Sequence, residues 1–216
     1  MPPRLPFSLA KAEAHLRAAD PVLARLIEQH DRFQPRPGTD PWSRLVRTII
    51  FQQLAGAAAR TIQRRFYALY GQPTGDELVA PTPHEVLATN DEQFRSAGVS
   101  HQKAGYLRDL AARVDDGRLA LDRITSATDN EIVAQLTAVH GIGEWSAHMF
   151  LMFELCRPDV LPVGDFGVRH GVEVAYALPS HPTPTQVRAI AEPWAPFRTV
   201  ASWYMWRAAD SVRLGS

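Results

Sequence analysis

Apolar residues recur along this chain every three or four positions, the spacing that places them on one face of a helix. After Asp40 and Pro41, which can cap and start a helix, the apolar positions include Leu45, Ile49 and Leu54. No run alternates apolar and polar residues as a strand does, and the sequence has no internal repeat or low-complexity tract. The pattern predicts an all-α fold of about ten helices.

Capping residues mark where several of these helices begin and end. Ser8 is expected to open a helix that runs to about Ala19, and Pro21 lies in the first turn of a second that runs to about His30. Capping boxes predict three further helix starts, at Thr82–Glu85, Thr128–Glu131 and Thr183–Gln186. Helices are expected to stop at four glycines, Gly71, Gly98, Gly117 and Gly141. The Pro- and Gly-rich segment 33–39 is expected to be a loop.

Size and charge limit what the chain can be. Its 216 residues, 45% of them hydrophobic, can bury a sizeable core. We expect a single domain, 1–216, of two helical lobes with a cleft between them. Lys plus Arg and Asp plus Glu both total 23, so the net charge is zero. If the chain binds nucleic acid, the contacts must therefore come from a local patch and from backbone amides.

The single cysteine, Cys156, excludes an internal disulfide and any four-cysteine zinc or iron–sulfur site. The first residues contain no apolar run typical of a signal peptide, and no stretch is long and apolar enough to span a membrane. We therefore expect a protein of the cytosol with no membrane partner. We also expect it to act as a monomer.

The segment 136–147 combines the end of one helix, a Gly-x-Gly turn and the start of an apolar helix, which predicts a helical hairpin at about 131–155. The paired glycines allow a tight turn and a close approach because neither carries a Cβ. The amides of Gly141, Ile142 and Gly143 would then lie at a helix N-terminus, where they can bind a phosphate. A simple connector between two helices is the alternative, but the apolar anchors around the turn and the long second helix favour the phosphate site.

Asp165 follows Pro162, Val163 and Gly164 and precedes a further helix, so its carboxylate would lie at that helix's N-terminus. The helix dipole and the amides there favour an ionised carboxylate. An aspartate in this position is more commonly only a helix cap, and this segment alone favours that interpretation. The predicted hairpin, whose second glycine, Gly143, lies 22 residues upstream of Asp165, makes a catalytic carboxylate the stronger hypothesis.

The segment His140–Ala147, followed by Pro162-Val163-Gly164-Asp165, closely resembles the helix-hairpin-helix DNA glycosylases, and more narrowly the 3-methyladenine DNA glycosylase II group. The resemblance covers about residues 19–210. It continues, in the family's order, in Ile49–Ala55, Gly98–Ala104 and Trp194–Thr199. In that superfamily the hairpin grips the DNA backbone and the later aspartate is catalytic. The resemblance implies a protein that binds double-stranded DNA containing alkylated bases and excises them in base excision repair.

The resemblance also assigns roles to individual residues. Strand-cleaving relatives carry a lysine nucleophile two positions after the second hairpin glycine, where this chain has Trp145, so a monofunctional hydrolase that leaves an abasic site is implied. Asp165 would stabilise the cationic sugar and direct the attacking water. Gln53 would fill the gap left by the flipped nucleotide. The residues that match or neighbour the family's base pocket are Trp145, Met149, Trp203 and Trp206. One of the last two is expected to be only core.

The family requires no cofactor, but its hairpin often holds a monovalent cation, Na⁺ or K⁺, through main-chain carbonyls. In this chain those carbonyls would belong to Thr137, Val139 and Ile142. The mixed α/β domain of some larger members has no room here, so we expect a compact form with a more open pocket that accepts more lesions.

The chain departs from the family at several positions. Glu144 places a negative charge beside the expected phosphate site, His140 replaces the usual hairpin proline and could itself contact phosphate, and Ala55 stands where many relatives have Ser. Three basic residues are candidates for a positive patch: Lys103, Arg169 and Arg198. Each could equally be a solvated surface charge, and Arg198 could instead be a structural hydrogen-bond donor at a helix start.

Two other functions compete with a glycosylase. A non-catalytic helix-hairpin-helix DNA-binding module would explain the hairpin but not Asp165. A metal-dependent hydrolase would use some of the eight histidines, but the sequence has neither a His-x-x-x-His pair nor an HExxH motif. Glu144 and His148 are four residues apart and are expected to form an exposed pair on a helix.

Overall fold

The computed structural model describes residues 5–35, 37–38, 40–71 and 79–214, and the regular structure of this part is entirely helical. It consists of twelve α-helices and two short 3₁₀ turns, at Ile124–Ser126 and Glu192–Trp194. In chain order the α-helices are Leu9–Ala19 (α1), Pro21–Gln29 (α2), Pro41–Phe51 (α3), Gly56–Ala68 (α4), Pro83–Ala88 (α5), Asp91–Ser96 (α6), His101–Asp115 (α7), Asp129–Thr137 (α8), Glu144–Phe153 (α9), Phe166–Ala175 (α10), Pro184–Ile190 (α11) and Arg198–Leu214 (α12). The predicted all-α fold is confirmed for these residues, with twelve helices where about ten were expected. Within the same residues, none of the helices is long and apolar enough to cross a membrane.

The chain forms two compact units. The first comprises Met1–Pro37 and Leu151–Ser216 and contains α1, α2, α10, α11 and α12. The second comprises Gly38–Phe150 and contains α3 to α8. α9 includes the residues at which the second unit ends and the first resumes.

Side-chain caps start the helices where the sequence predicts them. Three residues each accept hydrogen bonds from backbone amides of the first turn: Ser8, Asp20 and Asp40. Complete capping boxes form at Thr82, Thr128 and Thr183. The four glycines predicted to end helices, Gly71, Gly98, Gly117 and Gly141, all have positive φ. Of the predicted loop 33–39, Arg36 and Thr39 lie outside the described residues, and the rest is not helical.

α3 ends earlier than the apolar pattern predicts. The helix stops at Phe51, because Gln52 leaves the helical conformation with ψ 132° and Gln53 takes φ 54°. Leu54, expected among the apolar positions of this helix, lies in the turn before α4 and is 38% exposed. The prediction for Leu54 is therefore wrong, because a backbone reversal interrupts the helical periodicity.

The core of the first unit includes a buried aspartate. Apolar side chains of α1, α2, α10 and α12 form a cluster with Trp194, which is fully buried. Asp20 caps α2 and accepts hydrogen bonds from the Tyr176 hydroxyl and, at 3.0 Å, from the Trp194 indole. Burial, together with the hydrogen bond to Asp20 and its charge, raises the pKa of Tyr176 far above its ordinary value. The hydroxyl therefore stays a donor, and the first turn of α2 is tied to the segments that follow α10 and α11.

The second unit packs around α7 and a pair of phenylalanines. The rings of Phe66 and Phe94 stack with their centroids 5.3 Å apart. α7 packs against α3, α5 and α6. Buried leucines and isoleucines of α3 and α7 complete this core, among them Leu45, Ile49, Ile50, Leu107 and Leu110. α7 is therefore placed to support the turn that follows α3.

Candidate active site

Asp165 lies at the N-cap of α10, where its carboxylate both caps the helix and binds a tryptophan. Its Oδ1 atom accepts a hydrogen bond from the Val168 amide at 2.7 Å and another from the Trp206 indole at 2.8 Å. The side chain is half-buried, and the partial positive charge of the helix N-terminus faces it. Two N–H donors on one oxygen fix the orientation of the carboxylate.

Two glycines of α10 allow Trp206 and α12 to come this close. A Cβ atom on Gly167 would lie 2.8 Å from Trp206 Cδ1, 3.0 Å from Trp206 Nε1 and 3.2 Å from Asp165 Oδ1. A Cβ atom on Gly171, one turn later, would lie 1.9 Å from the carbonyl oxygen of Met205. Because real side chains do not tolerate the shortest of these distances, the two glycines are required on this face of α10. Gly171 permits the close crossing of α10 and α12, and Gly167 permits the contact between the Trp206 indole and the Asp165 carboxylate.

Trp206 and Trp203, three residues apart on α12, have different surroundings. Trp206 is half-buried and stacks on Phe153 with the ring centroids 5.9 Å apart. Trp203 lies against Phe33, with centroids 5.3 Å apart, and the Arg207 guanidinium lies 4.4 Å from its ring centre. Trp206 is thus the one of the pair that donates to the candidate catalytic carboxylate, and Trp203 packs within the first unit.

The predicted hairpin forms between α8 and α9. Gly141 has φ 84°, and a Cβ atom there would lie 2.2 Å from the ring of Tyr106, so only glycine fits. Ile142 is buried, and its amide donates to the Val139 carbonyl at 3.1 Å. Of the three amides predicted to bind phosphate, that of Ile142 is therefore engaged within the turn. The amides of Gly141 and Gly143 stay candidates for phosphate binding.

Asp109 of α7 holds the hairpin, a role that no sequence pattern indicated. Its Oδ2 atom accepts hydrogen bonds from the His140 amide at 2.8 Å and from His140 Nδ1 at 3.0 Å. Arg113 Nε donates to both carboxylate oxygens, at 3.2 and 3.1 Å. Burial raises the pKa of Asp109, but the His140 amide and Arg113 outweigh it and hold the pKa below its ordinary value of 3.8. The His140 side chain is 77% exposed, so its Nε2 atom is the one that can reach a phosphate.

The turn between α3 and α4 carries Gln53, the predicted wedge. Gln53 is exposed and has φ 54°, a conformation that costs energy in a residue other than glycine. Lys103 Nζ donates to the carbonyls of Ile50 and Gln52 at 2.7 and 2.8 Å, and burial lowers the pKa of Lys103. Gln52 Nε2 donates to the Gly141 carbonyl at 2.7 Å. These bonds stabilise the turn and link it directly to the hairpin.

Trp145 and Met149 lie one turn apart on α9. Trp145 is 54% exposed, unusual for so large an apolar side chain, and Met149 is half-buried. Glu144 Oε1 lies 3.8 Å from His148 Nε2, so the predicted i,i+4 pair is present. The expectation that the pair is exposed is wrong for His148, whose side chain is only 16% exposed, whereas that of Glu144 is 69% exposed. The first turn of α9 therefore presents an aromatic surface beside a negative charge.

The three basic residues considered for a positive patch are engaged by the protein itself. Lys103 binds the two carbonyls described above. Arg169 Nε donates to the Pro182 carbonyl at 2.7 Å. Arg198 forms a two-pronged ion pair with the Asp159 carboxylate, at 2.7 and 2.6 Å. All three are therefore structural hydrogen-bond donors.

Outward positive charge beside the Gln53 turn comes instead from α3 and α4. Arg47 and Arg60 are exposed, and the Arg47 guanidinium lies 4.1 Å from the centre of the Phe51 ring. Burial, followed by the like charges of Arg44 and Arg60, lowers the pKa of Arg47 below its ordinary value. Arg47 is therefore near enough to Arg44 and to Arg60 to be repelled by each, and it contacts Phe51, the last residue of α3 before the turn.

The carbonyls expected to hold a monovalent cation belong to the end of α8 and the turn after it. The Val139 carbonyl accepts the Ile142 amide, which leaves its second lone pair for a cation. Thr137 is the last residue of α8. Uncharged carbonyl oxygens at a helix C-terminus fit an alkali cation in type and charge, and this site stays a prediction.

A comparison with known families matches most of the chain. The model described as the HhH-GPD superfamily of base excision DNA repair proteins matches residues 46–196. The chain is also 33% identical over 206 residues to a Schizosaccharomyces pombe protein named DNA-3-methyladenine glycosylase 1, and the match covers 94% of this chain and 88% of the relative.

Two solved structures are similar over nearly their whole length. A DNA-3-methyladenine glycosidase from Bacillus halodurans has a TM-score of 0.85 and 34% identity, and the match covers 96% of this chain and 94% of that one. A 3-methyladenine DNA glycosylase from Schizosaccharomyces pombe, solved with abasic DNA, has a TM-score of 0.75 and 32% identity, and the match covers 91% of this chain and 95% of that one.

Proposed function

This chain belongs to the HhH-GPD superfamily of base excision DNA repair proteins, and we propose that it is a monofunctional DNA glycosylase that excises alkylated bases. The proposed substrates are 3-methyladenine, 7-methylguanine and related lesions in double-stranded DNA. The observation that carries the proposal is the oriented carboxylate of Asp165, which caps α10 and accepts a hydrogen bond from the Trp206 indole N–H. Relatives and solved structures named as 3-methyladenine glycosylases support the same substrate class.

In the proposed reaction Asp165 acts on the sugar. The bond between C1′ and the base nitrogen breaks, and its electron pair leaves with the base, so a cationic alkylated purine departs neutral. The carboxylate stabilises the positive charge that develops on the sugar, orients the water that adds to C1′ and accepts its proton. A preorganised electrostatic contact of this kind contributes a rate factor of about 10²–10³.

Aromatic side chains suit a base that carries positive charge. A cationic purine is attracted to the face of a tryptophan, and the attraction increases when water is excluded. In the first unit we assign contact with the base to Trp206, supported by Trp203; in the second unit we assign it to Trp145 and Met149. The same assignment argues against strand cleavage, because the indole of Trp145 stands where lyases have an amine and cannot form a Schiff base.

The second unit supplies the proposed DNA contacts. The amides of Gly141 and Gly143, with Nε2 of His140, would bind backbone phosphates. Gln53 would occupy the space left by the flipped nucleotide, since it is exposed on a turn braced by hydrogen bonds. Arg47 on the flank of this turn would add the local positive charge that a neutral chain needs.

Three further assignments complete the proposal. The hairpin carbonyls of Thr137, Val139 and Ile142 would hold Na⁺ or K⁺, which would bring positive charge next to the DNA backbone. The protein would act as a monomer. It would work in the cytosol, beside the chromosome.

The experiment compares wild-type protein with Asp165→Asn on duplexes that each carry one lesion: 3-methyladenine, 7-methylguanine, ethenoadenine or 1-methyladenine. We expect the variant to bind damaged DNA as the wild type does and to lose excision by a factor of about 10²–10³ or more. Equal excision by both proteins would reject the mechanism, and no excision by either would favour a non-catalytic DNA-binding module. Persistence of wild-type excision in chelator would exclude a metal-dependent hydrolase.

A further inference from the structure

Two histidines and a glutamate converge on one side of α10, away from any role assigned above. His170 and Glu173 lie three residues apart on the helix, and His181 comes from the segment that follows it. His170 Nδ1 lies 3.2 Å from Glu173 Oε2, and His181 Nδ1 lies 3.1 Å from the same oxygen. Each side chain is 28% exposed. One ligand atom of each residue lies within 4.8 Å of the other two.

We propose that His170, Glu173 and His181 form a binding site for a divalent transition-metal ion, namely Zn²⁺. Two imidazoles and one carboxylate are a donor set that zinc prefers, with water in the fourth position. Zinc–ligand bonds of about 2.0–2.1 Å in a tetrahedron place neighbouring ligand atoms about 3.3 Å apart. The two separations from Glu173 Oε2, 3.2 and 3.1 Å, are close to that value, and the histidine ligand atoms lie within 4.8 Å of each other, so movements of the side chains alone would bring all three around the ion.

The backbone around this cluster is already fixed in the required shape. Ala177 has φ 50°, which is unfavourable for a residue with a Cβ, and it turns the chain back towards α10. The Leu178 amide donates to the Glu173 carbonyl at 2.9 Å and closes this turn. Arg169 Nε donates to the Pro182 carbonyl at 2.7 Å, next to His181. The third ligand is therefore held against the first two by bonds other than those it makes itself, so binding has little ordering cost.

Phe166 supports the two imidazoles from one side. Its ring stacks on His181 with centroids 5.0 Å apart and on His170 with centroids 5.9 Å apart, while 64% of the residue is exposed. The stack restrains both ring planes, and the partial exposure of all three ligands leaves water access for a fourth ligand. The ion would join α10 to the segment after it. It would have a stabilising role, because a DNA glycosylase that acts through Asp165 needs no metal for its chemistry.

The main test uses full-length protein without a histidine tag, stripped with chelator and titrated with Zn²⁺ against a chromophoric competitor. Wild type is expected to bind one equivalent at this site. Glu173→Gln keeps the size of the side chain and an acceptor oxygen but removes the charge, and His181→Ala removes one ligand. Loss of a direct ligand should weaken binding by at least the factor of about 10–100 that loss of a supporting group costs. His101→Ala, which removes an exposed histidine on α7, is the matched control and should bind as the wild type does.

Thermal unfolding gives the second readout and separates binding from folding. Zinc at a fixed concentration should raise the Tm of wild type and of His101→Ala by more than that of Glu173→Gln, because stabilisation of the native state grows with the ratio of zinc concentration to Kd. Co²⁺ should give a visible tetrahedral absorption band in wild type that Glu173→Gln lacks. The proposal is overturned if folded Glu173→Gln binds zinc as tightly as wild type does. It is also overturned if wild type fails to bind zinc at millimolar concentration.

Discussion

Gly167→Ala would disturb the contact between the Trp206 indole and the Asp165 carboxylate while keeping both residues. The added methyl group would lie 2.8 Å from Trp206 Cδ1, 3.0 Å from Trp206 Nε1 and 3.2 Å from Asp165 Oδ1. The indole must then move by several tenths of an ångström or more. That movement breaks or bends the 2.8 Å bond from Trp206 Nε1 to Asp165 Oδ1. The methyl group would also press on Asp165 Oδ1, the oxygen that accepts the hydrogen bond from the Val168 amide.

The size of the effect follows from the kind of hydrogen bond that is lost. A hydrogen bond to a charged group contributes about 1.5–3 kcal/mol, and each 1.36 kcal/mol is a factor of ten in rate. If the indole orients Asp165 for the reaction, the single-turnover excision rate should fall about 10- to 150-fold. Stability should change less. The methyl group in a packed site costs about 1–3 kcal/mol, while alanine gains about 1 kcal/mol over glycine within a helix.

Two other glycines provide matched controls for the excision assay on a 7-methylguanine duplex. A Cβ atom on Gly164, beside Asp165 in sequence, would meet nothing within 4 Å, so Gly164→Ala should retain the wild-type rate. Gly171→Ala would place the methyl group 1.9 Å from the Met205 carbonyl oxygen, so it should unfold the first unit or lower its Tm severely. Together the three variants separate a local effect on the site from a general effect on the fold.

Trp206→Phe tests whether the indole transmits the effect of Gly167→Ala. Phenylalanine keeps an aromatic ring but has no N–H donor, so the variant alone should slow excision to a similar extent. The double variant should then be only slightly slower than either single variant, because both remove the same contact. If Gly167→Ala excises within twofold of Gly164→Ala, or if the two effects multiply, the indole does not position Asp165.

Two further predictions concern the hairpin and its neighbouring turn. Lys103→Met should lower the free energy of unfolding by about 1–3 kcal/mol in denaturant titrations, since the carbonyls of Ile50 and Gln52 lose their donor. The variant should also keep the wild-type salt dependence of DNA binding. If Lys103 contacted a phosphate instead, its loss would make the affinity for DNA less dependent on salt. Because the pKa of Asp109 lies below its ordinary value, its contribution to stability is present above pH 3.8 and is lost as the pH falls through the lower, folded value. Asp109→Asn should therefore unfold with a weaker dependence on pH in that acid range, and an unchanged pH profile would contradict the role assigned to Asp109.

The sequence indicates most of the local structure of this protein because helix ends depend on neighbouring residues. Thr82, Thr128 and Thr183 each cap a helix through a partner three positions away, and such pairs are visible in a sequence. The end of α3 is harder to predict from the sequence. Gln53 takes a positive φ that its residue type does not favour, and the donor that supports the turn is Lys103, fifty positions later. No local pattern reveals such a contact.

The candidate site shows the same limit. The glycine pair of the hairpin could be interpreted from the sequence, but Tyr106 and Asp109, which fill and hold it, come from another helix. Gly167 and Gly171 are spaced one helical turn apart, a pattern that could have indicated a close helix crossing. Which helix crosses there, and that one of its tryptophans reaches a carboxylate, depends on packing between residues about forty positions apart.

In the structure, the helix-capping role of Asp165 is compatible with the catalytic role proposed for it. The sequence presents a helix cap and a catalytic carboxylate as alternatives. In the structure, the oxygen that accepts the capping hydrogen bond from the Val168 amide also accepts one from the Trp206 indole. The cap is what prevents the side chain from rotating, so the more ordinary role is a condition for the proposed catalytic one. Asparagine caps helices about as well as aspartate does, whereas alanine costs about 1 kcal/mol. Asp165→Asn therefore removes the charge while keeping the cap, and any loss of excision in that variant belongs to the charge and not to the fold of α10.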